Sequence, residues 1–220
     1  MVRWCYAKFC RTSLLLISHS YNFVFIHVPK TGGNSIQWAL QDYSEDRLYI
    51  RNPRTQDGMN RFAVADGAGL GLEKHSTWND IEKAYGTLPG YLRFATIRNP
   101  FNKLVSSYFS PHRGEVTYSA DGFEEFVRSV RPLEDYVCNS DGVMMTDMLL
   151  RFENIAEDFA AVCQQIGIGQ IPIPRLNQRQ RQGIPCLYDN KLRLYVEKRH
   201  AYEIDIGGYS FDQSVDEAGY

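Results

Sequence analysis

The chain has 220 residues, with 24 Lys or Arg against 26 Asp or Glu, so its formal net charge is −2. Hydrophobic residues make up 44% and charged residues 23%, a composition that is typical of a folded domain and excludes a disordered or collagen-like chain. The near-neutral charge argues against a general binder of nucleic acid or anionic membranes, which needs a basic excess. The scattered cysteines form no pair at metal-ligand spacing, so they are interpreted as reduced core thiols and no metal site is predicted.

The N-terminal part of the chain contains two short apolar runs, at residues 14–17 and 23–28, separated by polar residues. Crossing a bilayer takes about 20 apolar residues, so neither run predicts a membrane span. We therefore expect an N-terminal extension over residues 1–22, a single domain over residues 23–220 and a cytoplasmic location, with a secretory route left open.

Strand and helix patterns alternate along the rest of the chain. Apolar and β-branched runs predict strands at residues 23–28, 48–50, 91–97 and 148–152. A hairpin is also predicted, with short strands at 136–137 and 143–145 on either side of a turn at 139–142. Helices are predicted at 35–43, 81–85 with Ser76 or Thr77 as N-cap, 101–109, 123–130, 155–166 and 187–204. Residues 51–74 show no period and are interpreted as a long functional loop. This alternation predicts an α/β fold with a central, mainly parallel sheet flanked by helices.

Residues 29–35 read Pro-Lys-Thr-Gly-Gly-Asn-Ser and join the first predicted strand to the first helix. α/β folds bind anions at this position, where glycines allow close backbone approach and the helix start presents N–H groups. The loop is not a Walker A sequence because its lysine precedes the glycine pair, which disfavours an ordinary ATPase or kinase. The alternative is a plain strand-to-helix turn. The predicted anion loop consists of Lys30, Thr31, Gly32, Gly33, Asn34 and Ser35.

These six residues after an apolar strand resemble the 5′-phosphosulfate loop of sulfotransferases that use 3′-phosphoadenosine 5′-phosphosulfate (PAPS). The likeness is to the carbohydrate-type family, which includes heparan 2-O-sulfotransferase-like and many bacterial enzymes. That family commonly has Thr where this chain has Asn34. The resemblance implies a P-loop-like three-layer fold, PAPS as sulfuryl donor, and a catalytic Lys30 that contacts the bridging oxygen and the leaving phosphate.

A second segment, residues 94–108, resembles the 3′-phosphate element of the same family, with Arg98 and Ser106 at the matching positions. A guanidinium at a strand end and a hydroxyl on the next helix can donate to one phosphate. Lys103 stands where the family usually has Arg. Residues 177–181 match a basic loop that closes over the nucleotide in the family, which implies nucleotide binding by Arg181, with Arg179 as a competing candidate.

Sulfuryl transfer needs a general base, and the positions of the five histidines in the sequence leave two candidates for it. His75 matches the histidine that is proposed as the base in heparan 2-O-type enzymes, so the resemblance implies that His75 is catalytic. His112, after the helix at 101–109, is the second candidate, and a solvent-facing histidine at a helix start is the alternative interpretation of His75.

The resemblance also implies a hydroxyl-bearing acceptor, a glycan or glycolipid, while the near-neutral charge predicts no nucleic-acid partner. Two groups of residues are candidates for binding the acceptor, and each has a plain structural alternative. The first is a basic cluster that could bind an anionic glycan or form a solvated loop: Arg47, Arg51, Arg54 and Arg61. The second is a set of aromatic residues that could stack on sugars or belong to the core: Trp38, Trp78, Tyr108 and Tyr118. A P-loop-type kinase and a non-catalytic PAP-binding protein remain alternative functions.

Overall fold

The computed structural model describes residues 16–44, 47–50, 62–65, 72–110, 116–174 and 184–213. Within these ranges the strands are β1 (Leu16–Ser18), β2 (Phe23–Ile26), β3 (Arg47–Ile50), β4 (Phe62–Ala65), β5 (Leu92–Ile97) and β6 (Met148–Arg151). The main sheet has the order β1-β2-β5-β6, and β3 pairs with β4 in a separate antiparallel sheet. β2 and β6 both pair in parallel with the central β5, whereas β1 is antiparallel to β2. The predicted α/β fold with a mainly parallel sheet is confirmed.

The helices of the described ranges are α1 (Gly33–Leu40), α2 (Trp78–Tyr85), α3 (Pro100–Tyr108), α4 (Ala120–Ser129), α5 (Glu134–Val137), α6 (Ile155–Gln165), α7 (Asn190–Arg199) and α8 (Ala201–Gly207). None of the described helices is long and apolar enough to cross a membrane. β1 shows that part of the predicted N-terminal extension pairs with the main sheet.

The side chains of the central strands alternate between two cores, one on each face of the main sheet. Val24 and Ala95 pack into a core that also contains residues of α2 and α5. Phe25 and Phe94 pack into the opposite core with residues of α1 and α6. A third cluster joins α3, α4 and α7 beside the sheet. The molecule therefore has three layers, with helices on both faces of the sheet, as predicted.

Three segments differ from the sequence-based expectations. Residues 136–137, predicted as a strand, end the short helix α5, although the turn at 139–142 forms as predicted and Cys138 bridges Met144. The single helix predicted over 187–204 is interrupted at His200, where the backbone has φ −110° and ψ 23°. The long loop predicted over 51–74 contains β4.

Candidate active site

The predicted anion loop lies at the carboxyl end of β2, beside its parallel neighbour β5. Lys30 and Gly32 both have left-handed backbone conformations, with φ of 66° and 89°, and Gly32 is the N-cap of α1. α1 receives no cap hydrogen bond from the Gly32 position, which has no side chain to give one. The first turn of the helix therefore has N–H groups without a side-chain cap, which is the feature that lets a helix start bind an anion.

The two glycines of the loop are packed too closely for a side chain. A Cβ on Gly33 would lie 2.4 Å from Cδ2 of His27, and one on Gly32 would lie 2.9 Å from Cδ1 of Ile155 and 3.0 Å from Cδ2 of Phe152. The turn into α1 is thus fixed from two sides, by the end of β2 and by the residues after β6. Only glycine allows this approach.

Replacing Gly33 by Ala is expected to destabilise the fold by about 1–3 kcal/mol, because the new methyl group must displace the His27 ring. That ring is 3% exposed and its Nδ1–H donates to Oε1 of Gln37 at 2.8 Å, so it cannot swing aside without losing this bond. Gly169→Ala is the matched control, since a Cβ there meets nothing within 4 Å. Chemical denaturation of both variants measures the difference, and equal stabilities would contradict the packing described.

The hydroxyl of Thr31 is used inside the protein. It donates to the Val28 carbonyl oxygen at 2.8 Å and lies 2.6 Å from Oγ1 of Thr96, from which it accepts because its own proton is already used. Thr31 is fully buried. Its side chain therefore fastens the loop to β5, and its backbone is the part available to a ligand. Ser35 is also buried, and its N–H donates to the Gly32 carbonyl oxygen.

Arg98 follows β5 and reaches the loop. Its guanidinium lies over the Phe152 ring at 4.1 Å, and Nη1 is 3.5 Å from the Lys30 carbonyl oxygen. Asn99 is the N-cap of α3, and the half-buried Ser106 lies in the last turn of this helix. The structure therefore places Arg98 beside the anion loop and Ser106 on the helix that starts next to it.

The turn that carries Arg98 is held by the C-terminal segment. The Asn99 N–H donates to Oε1 of Glu153 at 3.3 Å, and the Tyr209 hydroxyl donates to the other oxygen of that carboxylate at 2.9 Å. The Asn99 amide also donates to the Ser210 carbonyl oxygen at 2.9 Å. Glu153, Tyr209 and Ser210 thus position the turn between β5 and α3.

His75 lies before α2 and contacts the end of β2. Its Nδ1–H donates to the His27 carbonyl oxygen at 2.8 Å, and the two imidazole rings meet edge to face at 4.7 Å. This bond fixes the tautomer and leaves Nε2 with a lone pair. Partial burial, together with the charges of Lys74 and Lys30, lowers the pKa of His75 below its ordinary value. A neutral imidazole with a fixed orientation is what a general base requires.

Lys74 is the residue of the site that sequence reasoning missed. Its ammonium group donates to Oδ1 of Asn34, in the first turn of α1. Burial and the nearby charge of Lys30 lower the pKa of Lys74 from 10.5 to about 8. The only sequence signal was its position directly before His75.

The remaining predicted residues fall into three groups. His112, Arg179 and Arg181, like Arg51, Arg54 and Arg61, lie outside the described residues, and so does the Arg47 side chain. Trp78 and Tyr108 are core residues, 0% and 3% exposed, whereas Trp38 is half-buried on α1 and Tyr118 is 40% exposed. Lys103, at the family's Arg position, is buried in an ion pair with Glu203. No group of three or more metal-ligating side chains occurs in the part of the chain that the structure describes.

The chain is thus an α/β domain with the predicted anion loop at the carboxyl end of a parallel strand and a histidine beside it. The model of the sulfotransferase family matches residues 13–206, so the chain belongs to that family. The chain is also similar to the crystal structure of a sulfotransferase from Alicyclobacillus acidocaldarius. Their identity is 16%, the match covers 88% of this chain and 98% of that one, and the TM-score is 0.46. No curated protein matches the sequence.

Proposed function

We propose that this member of the sulfotransferase family transfers the sulfuryl group of PAPS to a hydroxyl group of an acceptor. One observation carries the proposal: three separate segments meet at residues 27–30. The anion loop begins there, Nη1 of Arg98 lies 3.5 Å from the Lys30 carbonyl oxygen, and Nδ1 of His75 is bonded to the His27 carbonyl oxygen. A phosphate cradle, a second cation and a base are thus within reach of one ligand.

The residues present fit the two charged ends of the donor. Because the packing around Gly32 and Gly33 admits no side chain there, the backbone of the loop is the part that would hold the 5′-phosphosulfate. Arg98 and Ser106 are proposed to hold the 3′-phosphate, and Arg181 or Arg179 to close over the nucleotide. When bound, PAPS supplies a sulfuryl group already attached to a good leaving group.

In the proposed reaction the acceptor oxygen forms a bond to sulfur as the bond from sulfur to the phosphate oxygen breaks. Nε2 of His75 takes the hydroxyl proton, and Lys30 neutralises the charge that develops on the leaving phosphate. The products are a sulfate ester and 3′-phosphoadenosine 5′-phosphate (PAP). The loop also contributes to the rate of transfer, because it would hold the donor in position for in-line attack by the acceptor oxygen.

The acceptor is proposed to be a carbohydrate. The likeness of residues 30–35 and 94–108 to carbohydrate-type enzymes supports this class. Transfer of radiolabelled sulfate from PAPS to glycans, phenols and tyrosyl peptides tests it. Label in glycans supports the proposed acceptor class. Label only in phenols or peptides overturns that class but leaves PAPS as the sulfuryl donor. PAP binding without transfer to any class would favour a non-catalytic binder.

PAP is expected to raise the melting temperature of the wild-type protein, with a stabilisation of about 2.7 kcal/mol at a ligand concentration of 100 Kd. Lys30→Ala and Arg98→Ala are each expected to weaken PAP binding by about ten- to hundred-fold, because each removes a charge-assisted contact. Titration calorimetry measures the affinities.

Arg93→Ala is the matched control for these two variants. Arg93 lies on β5, the strand that Arg98 directly follows. Its guanidinium, however, pairs with Asp147 at 2.7 Å and lies over Trp78. PAP affinity should therefore be unchanged in this variant. Stabilisation of the wild type by ATP with Mg²⁺ and none by PAP would contradict the proposed donor and favour a kinase.

A further inference from the structure

Lys74 places a second ammonium group beside the anion loop. Its Nζ donates to Oδ1 of Asn34, which is the second residue of α1, and 40 residues separate the two in sequence. The contact joins the loop that carries His75 to the helix start that is proposed to receive the phosphosulfate. Lys74 therefore lies between the proposed base and the proposed cradle.

The surroundings of Lys74 favour an anionic ligand. The side chain is half-buried beside the start of α1, where the positive end of the helix and the charge of Lys30 also act. Among the residues that the structure describes, the other titratable groups acting in this region are Lys30, His27, His75 and Glu73. Lys30 repels Lys74, and a bound dianion would attract both.

We propose that Lys74, anchored by Asn34, is a second lysine that binds the anionic end of the donor nucleotide. This inference rests on the proposed function, since it concerns the same ligand. With a pKa of about 8, Lys74 is mostly charged at pH 6.5 and mostly neutral at pH 8.5 in the free protein. A nearby phosphate raises the pKa, so binding at pH 8.5 is coupled to proton uptake.

Calorimetric titration with PAP at pH 8.5 and pH 6.5, each in two buffers of different ionisation enthalpy, counts the protons. We expect the wild type to take up roughly half a proton or more at pH 8.5 from Lys74. The phosphates of PAP contribute little there, because their second pKa is about 6. At pH 6.5 Lys74 is already charged, so its contribution disappears.

Two substitutions of Lys74 distinguish the effect of its positive charge from the effect of its change in protonation. Lys74→Met should bind PAP about ten- to hundred-fold more weakly at neutral pH and take up no proton at pH 8.5. Lys74→Arg should bind nearly as well as wild type, also without uptake, because a guanidinium is always protonated. His75→Gln should keep the uptake, which excludes the neighbouring imidazole as its source.

The outcomes distinguish this inference from the proposed function. Failure of the wild type to bind PAP overturns the proposed function. If the wild type binds PAP, the proposed function stands and two results would overturn the Lys74 inference alone. One is that Lys74→Met still takes up a proton at pH 8.5, and the other is that this variant binds PAP as tightly as wild type. Circular dichroism checks that Lys74→Met is folded. Asn34→Ala, which removes the anchor and keeps the lysine, should also weaken PAP binding, and unchanged affinity would count against the anchoring contact.

Discussion

Replacing His75 by Gln is expected to lower the turnover number for sulfuryl transfer by about 10²–10⁴-fold while leaving PAP affinity nearly unchanged. Glutamine can still donate a hydrogen bond to the His27 carbonyl oxygen, as Nδ1 of His75 does at 2.8 Å. It cannot accept a proton as Nε2 does. A large loss of turnover with retained binding therefore identifies the function of the second ring nitrogen.

The same residue predicts a pH dependence. Because the pKa of His75 is lowered from 6.5, the imidazole is neutral at pH 7 and becomes protonated only at lower pH. Turnover by the wild type should be flat around neutral pH and fall in acid, with a midpoint below 6.5. A pH profile of kcat measures this, and the remaining activity of His75→Gln should lack the same acid limb.

His19→Gln is the control for these experiments. His19 is exposed, and its Nδ1 lies 2.7 Å from the Tyr91 hydroxyl. Both residues precede β2 and β5, whereas the anion loop and Arg98 follow these strands. The His19 substitution should change neither kcat nor the pH profile. If His75→Gln keeps full turnover at neutral pH, the assignment of the base is wrong, and His112 is the next residue to substitute.

The parts of the site that could be predicted from the sequence are those encoded in short segments. The loop at 30–35 shows its anion-binding character through glycines at a strand-to-helix junction, and Arg98 is visible as a charged residue at a strand end. Parallel pairing of β2 with β5 then brings the two segments together, because their carboxyl ends meet at one edge of the sheet. Here local pattern and topology give the same result.

The parts that could not be predicted depend on contacts between distant residues. Nothing near Asn34 indicates that its amide accepts from Lys74, because the contact requires the segment before α2 to fold back over the start of α1. Thr31 illustrates the opposite case, since its position suggested a ligand contact and the fold uses its hydroxyl to bind Val28 and Thr96.

Lys103 shows the same limit for a charge. In sequence it occupies a position of the 3′-phosphate element, but its ammonium group points into the protein and pairs with Glu203, 100 residues away. The side chains of Lys103 and Glu203 are 3% and 0% exposed, and the fully buried His200 lies 3.6 Å from the same carboxylate oxygen. These three residues join α3 to the junction of α7 and α8. The interruption of the predicted helix at His200 places the imidazole beside the pair.

Glu203→Gln is expected to destabilise the protein by about 3–5 kcal/mol, because it leaves the buried Lys103 ammonium without a counter-charge. Burial alone would raise the pKa of Glu203, but Lys103 and His200 hold it below 4.5. The carboxylate therefore contributes stability that is present above about pH 4.5 and is lost as the pH falls further. Urea denaturation across this pH range measures both the loss and its pH dependence.

Glu197→Gln provides the matched control, since Glu197 pairs with Arg193 at 2.9 Å on α7 and both side chains are about 40% exposed. Breaking that pair should cost no more than about 1 kcal/mol. The double variant Lys103→Met, Glu203→Leu should recover much of the stability that Glu203→Gln loses, because it removes both charges together. If Glu203→Gln costs no more than Glu197→Gln, the buried carboxylate does not balance Lys103. In that case another group supports α3, the helix that presents Ser106 beside the Arg98 turn.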